Sequence, residues 1–275
     1  MAELFLEGDK SGKKKLNLKL TIGAALVLLT FSLALIGFFY TPYEPNSMDS
    51  SLRSAAPSLS HLFGTDNFGR DIFSRVMKGS GTSVLIAASV VFIGTFFGIV
   101  VGTVSGYYGG LLDEILMRFN DIVASFPGVL IALVLVAVIG PGEKNVIIAL
   151  GIVFIPSFVR MVRADVVGIK SEPYIMAARL MGTSDFKIML MHIVPNIRTT
   201  ILTSVFIGFQ NAILSEAALS FLGLGVVRPD PSLGLMLSDA QGYLFNAPWY
   251  AIAPGLIIVV MTLGFGLISN VLEGE

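Results

Sequence analysis

The chain contains no cysteine and few charged residues. Without cysteine among its 275 residues it cannot form a disulfide, a zinc–thiolate site or a thiol nucleophile. The absence of cysteine also gives no information on whether the protein is in an oxidising or a reducing compartment. Charged residues make up 13% of the chain, whereas soluble domains carry about a quarter. The net charge of −1 provides no basic field, so no nucleic-acid partner is expected.

Motifs for nucleotide binding and for catalysis are missing as well. The sequence has no Gly-x-x-x-x-Gly-Lys-Ser/Thr segment, so this chain lacks the phosphate-binding loop with which many proteins bind ATP. No Ser–His–Asp or paired-carboxylate arrangement is recognisable, and His61 and His192 fall on opposite sides of the topology derived below. The sequence therefore predicts no catalytic residue, no metal site and no cofactor held by this chain.

Apolar residues, by contrast, make up 54% of the chain. A helix needs roughly 20 apolar residues to cross a bilayer. Six runs approach that length, at 20–40, 83–107, 122–139, 146–162, 197–214 and 250–272. Because helices satisfy their own backbone in lipid and no alternating strands are seen, an all-α integral membrane protein with six transmembrane helices is predicted.

The distribution of Lys and Arg predicts the orientation. With a cytoplasmic N-terminus, twelve of the 18 basic residues lie inside, and the other six are Arg53, Arg70, Arg75, Lys78, Lys144 and Arg228. This bias obeys the positive-inside rule and places both termini in the cytoplasm. The first run is longer than the apolar region of a signal peptide and no Ala-x-Ala site follows, so a retained anchor helix is expected.

Three segments follow from this topology. Residues 1–40 are a cytoplasmic N-terminus and anchor helix, residues 41–81 an extracytoplasmic loop, and residues 82–275 a five-helix core with a cytoplasmic helix at 171–183. Mixed apolar and charged residues at 64–79 predict an amphipathic helix on the outer membrane interface. By position, 63–79 and 223–249 are candidate docking segments for a partner outside the membrane.

Glycine recurs every four residues in the second run, at Gly94, Gly98, Gly102 and Gly106. On a helix these residues form a smooth stripe that predicts close helix packing, either within the chain or between two chains.

Acidic residues are scarce in the apolar runs. Glu216 is interpreted as an interfacial carboxylate beyond the fifth run, and Asp113, Glu114 and Asp121 as a solvated helix face. An ion-coupled carrier needs ionisable groups at mid-membrane depth, and inverted-repeat carriers show internal repeats. Neither feature is found, so a secondary carrier gains no support.

The segment between the fourth and fifth runs has helix signals on the water side. Ser171 is the predicted N-cap, Pro173 suits the first turn and Gly182 the end. A second short helix is predicted from Phe186 to Ile193. One face of the first helix carries Tyr174, Ala177, Ala178 and Met181. Such a helix fits a groove on a partner protein or lies against its own bundle, and the pattern leaves both open.

This segment resembles the cytoplasmic "EAA" loop of ABC-importer permeases. Ala177, Ala178, Gly182 and Pro195 match that pattern, whereas Met176 stands where the family has Glu. Four further stretches resemble the second permease of dipeptide, oligopeptide and nickel importers, at 63–75, 106–118, 215–225 and 247–249.

The resemblance implies a type I ABC importer core of five helices behind the anchor helix. It implies a prokaryotic plasma or inner membrane, a heterodimer with a second homologous permease, two cytoplasmic ATPase subunits that hold ATP and Mg, and an extracytoplasmic binding protein. The implied coupling residues are Tyr174, Ala177, Ala178, Arg179, Gly182 and Pro195. The implied activity is import of di- or oligopeptides by alternating access. A nickel or metal-chelate permease, an ion-coupled carrier and a membrane scaffold remain alternatives.

Overall fold

The computed structural model describes residues 2–273, with side chains from residue 18 onward. Four of the twelve basic residues predicted to be cytoplasmic, Lys10, Lys13, Lys14 and Lys15, therefore lie outside the described side chains. Over the described range the structure is helical, and its β pairing is one bridge between Thr65 and Asp71. The α-helices are α1 (Ala2–Phe39), α2 (Ile72–Tyr108), α3 (Gly110–Ala124), α4 (Gly128–Ile139), α5 (Glu143–Ile169), α6 (Pro173–Leu180), α7 (Asp185–Ile188), α8 (Arg198–Phe221), α9 (Leu233–Ala240) and α10 (Trp249–Glu273).

Five helices are long and apolar enough to cross a membrane, namely Leu18–Phe39 of α1 together with α2, α5, α8 and α10. A sixth span exists only if α3 and α4 are taken together, and these two helices meet at 79°. The break falls at Pro127, which has no N–H and disfavours helical geometry at Phe126. The all-α membrane fold is confirmed, but the span predicted at 122–139 is two helices rather than one.

The helices form one bundle with two distinct ends. The first residues of α2 lie beside α9, since a Cβ on Gly79 would be 3.3 Å from the Cα of Ser232. The last residues of α2 lie beside the 170–197 connection, where the Lys170 ammonium donates to the Gly106 carbonyl at 2.8 Å. These are called the α9 end and the α6 end below.

The glycine stripe of α2 packs against α5 of the same chain. A Cβ on Gly98 would lie 2.3 Å from the Phe158 Cβ, and one on Gly94 would lie 2.9 Å from the Phe158 ring. Gly102 and Gly106 meet α5 residues one and two turns further along, with added Cβ atoms 2.8 and 2.9 Å from valine Cβ atoms. The stripe therefore serves packing within the chain.

We expect Gly98→Ala to lower the thermal unfolding temperature of the purified protein. The added methyl group forces α2 and α5 apart, and overpacking of this kind costs about 1–3 kcal/mol. Gly168→Ala is the matched control, because a Cβ there meets nothing within 4 Å. That change should be neutral or stabilise α5 by about 0.5–1 kcal/mol. Equal unfolding temperatures for the two variants would contradict this packing.

The anchor helix α1 is tightly joined to the bundle. Its Gly37 faces the Met77 carbonyl of α2, 2.4 Å from where a Cβ would stand, and its Gly23 faces Gly264 of α10. The Phe31 ring lies 5.9 Å from that of Phe265. The anchor thus forms part of the packed bundle in this structure.

The prediction of a separate amphipathic helix at 64–79 is wrong, because residues 64–71 form turns and residues 72–79 are the first turns of α2. Residues 41–71, here called the α2 cap, form turns and one short 3-10 helix (Ser50–Leu52), and α2 begins at Ile72 with Asp71 as its N-cap. Gly64 and Gly69 have φ of +71° and +77°, which interrupts any helix there. Asp66 fixes the turn by accepting the N–H groups of Phe68 and Arg70 at 2.8 and 2.9 Å.

Candidate functional site

The connection between α5 and α8 forms a short hook at the α6 end. Helix α6 starts after Glu172, not after the predicted cap Ser171, because the residue before Pro173 is held in an extended conformation. It ends at Leu180, and Gly182, two residues further on, has the φ of +79° that commonly follows a helix C-terminus. Helix α7 and a π-helical turn, Met189–Ile193, complete the hook, defined here as residues 171–197.

The inward face of α6 consists of Ile175 and Ala178. Both are buried in a cluster that contains Val162 and Val166 of α5 and Ile188 of α7. The predicted face Tyr174–Ala177–Ala178–Met181 is therefore split, because only Ala178 points inward. The one-turn spacing of Ile175 and Ala178 sets the orientation of this short helix.

Polar contacts fasten the hook to α2. The Tyr107 hydroxyl donates to the Asp185 carboxylate at 2.6 Å. The guanidinium of Arg179 lies 5.2 Å from the centre of the Tyr107 ring, a distance suited to a cation–π contact. With the Lys170 bond to Gly106, these contacts hold the residues on either side of α6 against the last turn of α2.

Asp113 of α3 joins three helices at the same end. It accepts two bonds from Arg163 of α5, both at 2.6 Å, and one from the Ser105 hydroxyl of α2. The interpretation of Asp113 as part of a solvated face is thus wrong, since its carboxylate has a specific partner on another helix. Glu114 and Asp121 do remain exposed, paired with Arg118 and Arg160.

The outward surface of the hook is rich in large apolar side chains. Leu180 is 88% exposed and Met181 is 79% exposed, and Met176, Phe186 and Met191 are also exposed. Exposed apolar side chains of this kind are covered by a partner protein or by lipid. Tyr174, Ala177 and Arg179 lie on the exposed side too. A Cβ on Gly182 would meet nothing within 4 Å, so substitution there is opposed by backbone conformation rather than by lack of room.

Glu216 lies in the interior of the bundle, not at the interface. Its side chain is wholly buried in α8, which continues to Phe221. One carboxylate oxygen accepts the Ser83 hydroxyl of α2 and the other accepts the Ser220 hydroxyl, both at 2.7 Å. Within residues 18–273 no Lys, Arg or His forms an ion pair with it, so serine hydroxyls are its described polar side-chain partners.

A cavity of about 370 Å³ opens between the α3–α4 break, α5 and α8. Its wall combines apolar side chains with Ser157, Arg160, Ser204 and Asn211. Pro156 lies in the same wall and has no N–H, so the Ile152 carbonyl lacks its helical partner. Sequence reasoning missed this site, although the adjacent Pro156 and Ser157 in an apolar run were a signal.

At the α9 end, the α2 cap is held by buried charged groups. Arg70 bonds the Asp66 carboxylate at 2.5 Å. Arg75, wholly buried, donates to the Pro45 carbonyl and to the Asn46 side chain at 3.0 Å. Trp249 donates to the Thr65 carbonyl at 3.5 Å. The two candidate docking segments, 63–79 and 223–249, are therefore neighbours.

Comparison with known proteins gives a consistent result. The family model described as "Binding-protein-dependent transport system inner membrane component" matches residues 94–274. The chain is 39% identical to the dipeptide transport system permease protein DppC of Alkalihalophilus pseudofirmus, over 92% of this chain and 83% of that protein. It is 40% identical to the glutathione transport system permease protein GsiD of Escherichia coli, over 90% and 82%.

Solved structures show the same fold at low sequence identity. An inward-facing conformation of the MetNI methionine ABC transporter superposes with a TM-score of 0.60 at 17% identity, covering 73% of this chain and 95% of that one. An amino acid ABC transporter superposes with a TM-score of 0.53 at 18% identity, covering 73% and 93%.

Proposed function

Because the chain belongs to the family of binding-protein-dependent transport system inner membrane components, we propose that it is a permease subunit of an ATP-driven importer of short peptides. The carrying observation is the identity of 39% to a dipeptide permease over most of both chains. The further relative at 40% identity is described as a glutathione permease. Both names favour a peptide over a metal chelate.

The hook supplies the coupling surface of this proposal. Its apolar outward side would dock on a separate ATPase, which holds the ATP and Mg that this chain has no motif to bind. The exposed residues Tyr174, Ala177 and Arg179 would contact that ATPase. Ala178 would hold α6 on the bundle, Gly182 would end the helix, and Pro195 would follow the π-helical turn before α8.

Movement of the hook would be passed to the spans by the contacts described above. Tyr107 connects the hook to α2, Lys170 connects the end of α5 to α2, and the bond between Asp113 and Arg163 connects α3 with α5. Alternating access then requires that the ATP-bound ATPases favour one arrangement of these helices over the other.

The proposed assembly has two permeases, two ATPases and a binding protein. The multi-pass chain lies in the inner membrane with its α6 end and both termini in the cytoplasm. The second permease would be a homologous chain. The α2 cap and the 223–249 segment, which Trp249 brings together, would receive the binding protein.

The test is uptake of radiolabelled dialanine into vesicles that contain the complete transporter. We expect uptake only when ATP and the binding protein are both present, because capture and energy reside in other chains. A vesicle without the binding protein and one with a non-hydrolysable nucleotide are the controls. Uptake driven by an ion gradient without ATP would indicate a secondary carrier, and no uptake of any kind would indicate a scaffold.

A further inference from the structure

The cavity beside the α3–α4 break is lined by both uncharged polar and apolar side chains. Three uncharged polar side chains, Ser157, Ser204 and Asn211, line it together with apolar groups. Hydroxyl and amide groups both donate and accept hydrogen bonds, and they carry no charge of their own. They can therefore pair with the N–H and C=O groups of any peptide, whatever its side chains.

Arg160 gives the cavity a single fixed charge. Among the described residues that line the cavity, it is the only Lys or Arg, and none of them is Asp or Glu. A planar guanidinium pairs with a carboxylate through two parallel hydrogen bonds. The cavity thus favours a ligand with a free carboxylate at one end and an amide-rich, partly apolar body.

The present partner of Arg160 is easily exchanged. Arg160 bonds the Asp121 carboxylate at 2.8 Å, and the two side chains are 54% and 60% exposed. Exposed pairs of this kind contribute little stability. An arriving carboxylate can therefore replace Asp121, and Asp121 takes Arg160 back when the ligand leaves.

The cavity also has the reach of a short peptide. Its α5 wall extends from Val153 to Arg160, a distance of about 10 Å at the helical rise of 1.5 Å per residue. An extended chain covers about 3.4 Å per residue. The wall therefore matches two to three peptide residues, about as many as a dipeptide or tripeptide contains.

We propose that this cavity is a transit site for short peptides, in which Arg160 binds the C-terminal carboxylate while Ser157, Ser204 and Asn211 bond the peptide backbone. The inference rests on the proposed function, because it assigns a place in this chain to the imported substrate. Weak binding suits such a site, since the ligand must leave it again. Asp121 sets that weakness by competing for Arg160.

The absence of cysteine makes a direct test possible. Single variants Ser157→Cys and Ser204→Cys each introduce the one thiol of this chain, and Ser60→Cys on the exposed α2 cap is the matched control. In the purified assembly of permeases and ATPases, before the binding protein that would dock near residue 60 is added, reaction of that thiol with a water-soluble maleimide is followed by the mass of this chain. The probes are dialanine and its C-terminal amide.

We expect dialanine to slow labelling at residues 157 and 204 several-fold, the amide to have little effect, and labelling at residue 60 to be unchanged. Arg160→Gln in the same backgrounds should abolish the protection, Arg160→Lys should retain part of it, and Asp121→Asn should strengthen it. A general change in structure would not produce opposite effects from Arg160 and Asp121.

Three results would overturn the site. The first is that dialanine and its amide slow labelling equally. The second is that dialanine still slows labelling in the Arg160→Gln variants. The third is that the thiols at residues 157 and 204 do not react with maleimide at all. Labelling needs no ATP, so it is independent of the vesicle assay. Normal ATP-driven uptake of dialanine with no protection would reject the transit site alone, whereas absence of uptake would reject the proposed function.

Discussion

Glu216→Ala should abolish uptake by destabilising the bundle, whereas Glu216→Gln should leave both stability and uptake close to wild type. The alanine variant leaves a void and removes the acceptor for the Ser83 and Ser220 hydroxyls, at a cost of roughly 3 kcal/mol or more. Glutamine keeps the volume, accepts one hydroxyl proton and donates an amide proton to the other hydroxyl. Thermal unfolding and ATP-driven uptake measure the two effects.

The glutamine variant also discriminates between two classes of transporter. In a proton-coupled carrier a buried carboxyl group works by losing and regaining its proton, which an amide cannot do. A stable Glu216→Gln protein that has lost uptake would therefore show that this carboxyl group acts as more than a link between α2 and α8. Ser83→Ala is a useful companion, since it removes one of the two hydroxyl partners and should have a smaller effect.

Ala178→Leu should reduce ATP-driven uptake strongly while the partner ATPases continue to hydrolyse ATP. Ala178 of α6 is only 3% exposed and belongs to the buried cluster that α6 forms with the ends of α5 and α7. A leucine there pushes α6 away from the bundle, which weakens the path from hook to spans. Overpacking of this kind costs about 1–3 kcal/mol, so the thermal unfolding temperature should fall as well.

Ala177→Leu is the matched control for that prediction. Ala177 is the exposed neighbour of Ala178, so the larger side chain has room within this chain and the unfolding temperature should not change. If α6 docks on the ATPase through this side, Ala177→Leu should still lower the ratio of uptake to ATP hydrolysis. Full uptake by both variants would remove α6 from the coupling pathway.

Hydropathy predicted the spans well and their limits less well. It found the five continuous spans, because length and apolar composition are local properties. It placed the start of the second span at Ser83, whereas α2 begins eleven residues earlier at Ile72. The missed first turns of α2 contain Arg75, whose buried guanidinium donates hydrogen bonds to the Pro45 carbonyl and the Asn46 side chain and lies 3.9 Å from the Asp66 carboxylate.

At the candidate site, too, features set by neighbouring residues in the sequence could be predicted, whereas features set by contacts between distant segments could not. The existence of α6 and the positive φ of Gly182 follow from Pro173 and Gly182 themselves. The inward face of α6 could not be derived, because the choice of Ile175 over Tyr174 depends on α5 and α7. Glu216 was misplaced for a related reason, since its partner Ser83 is 133 residues away in sequence.

The α2 cap has a consequence for the size of the motion that this chain can make. It joins the start of α2 to Trp249, the first residue of α10, through the hydrogen bond from the Trp249 indole to the Thr65 carbonyl, so the α9 end is the expected pivot for a tilt of α2. With 37 residues, α2 is roughly 55 Å long. A tilt of about 5° therefore displaces its far end by about 5 Å, close to one helical turn. Because α2 is so long, a tilt that is too small to disrupt the contacts at its α9 end still moves its α6 end by a distance comparable to the size of a peptide.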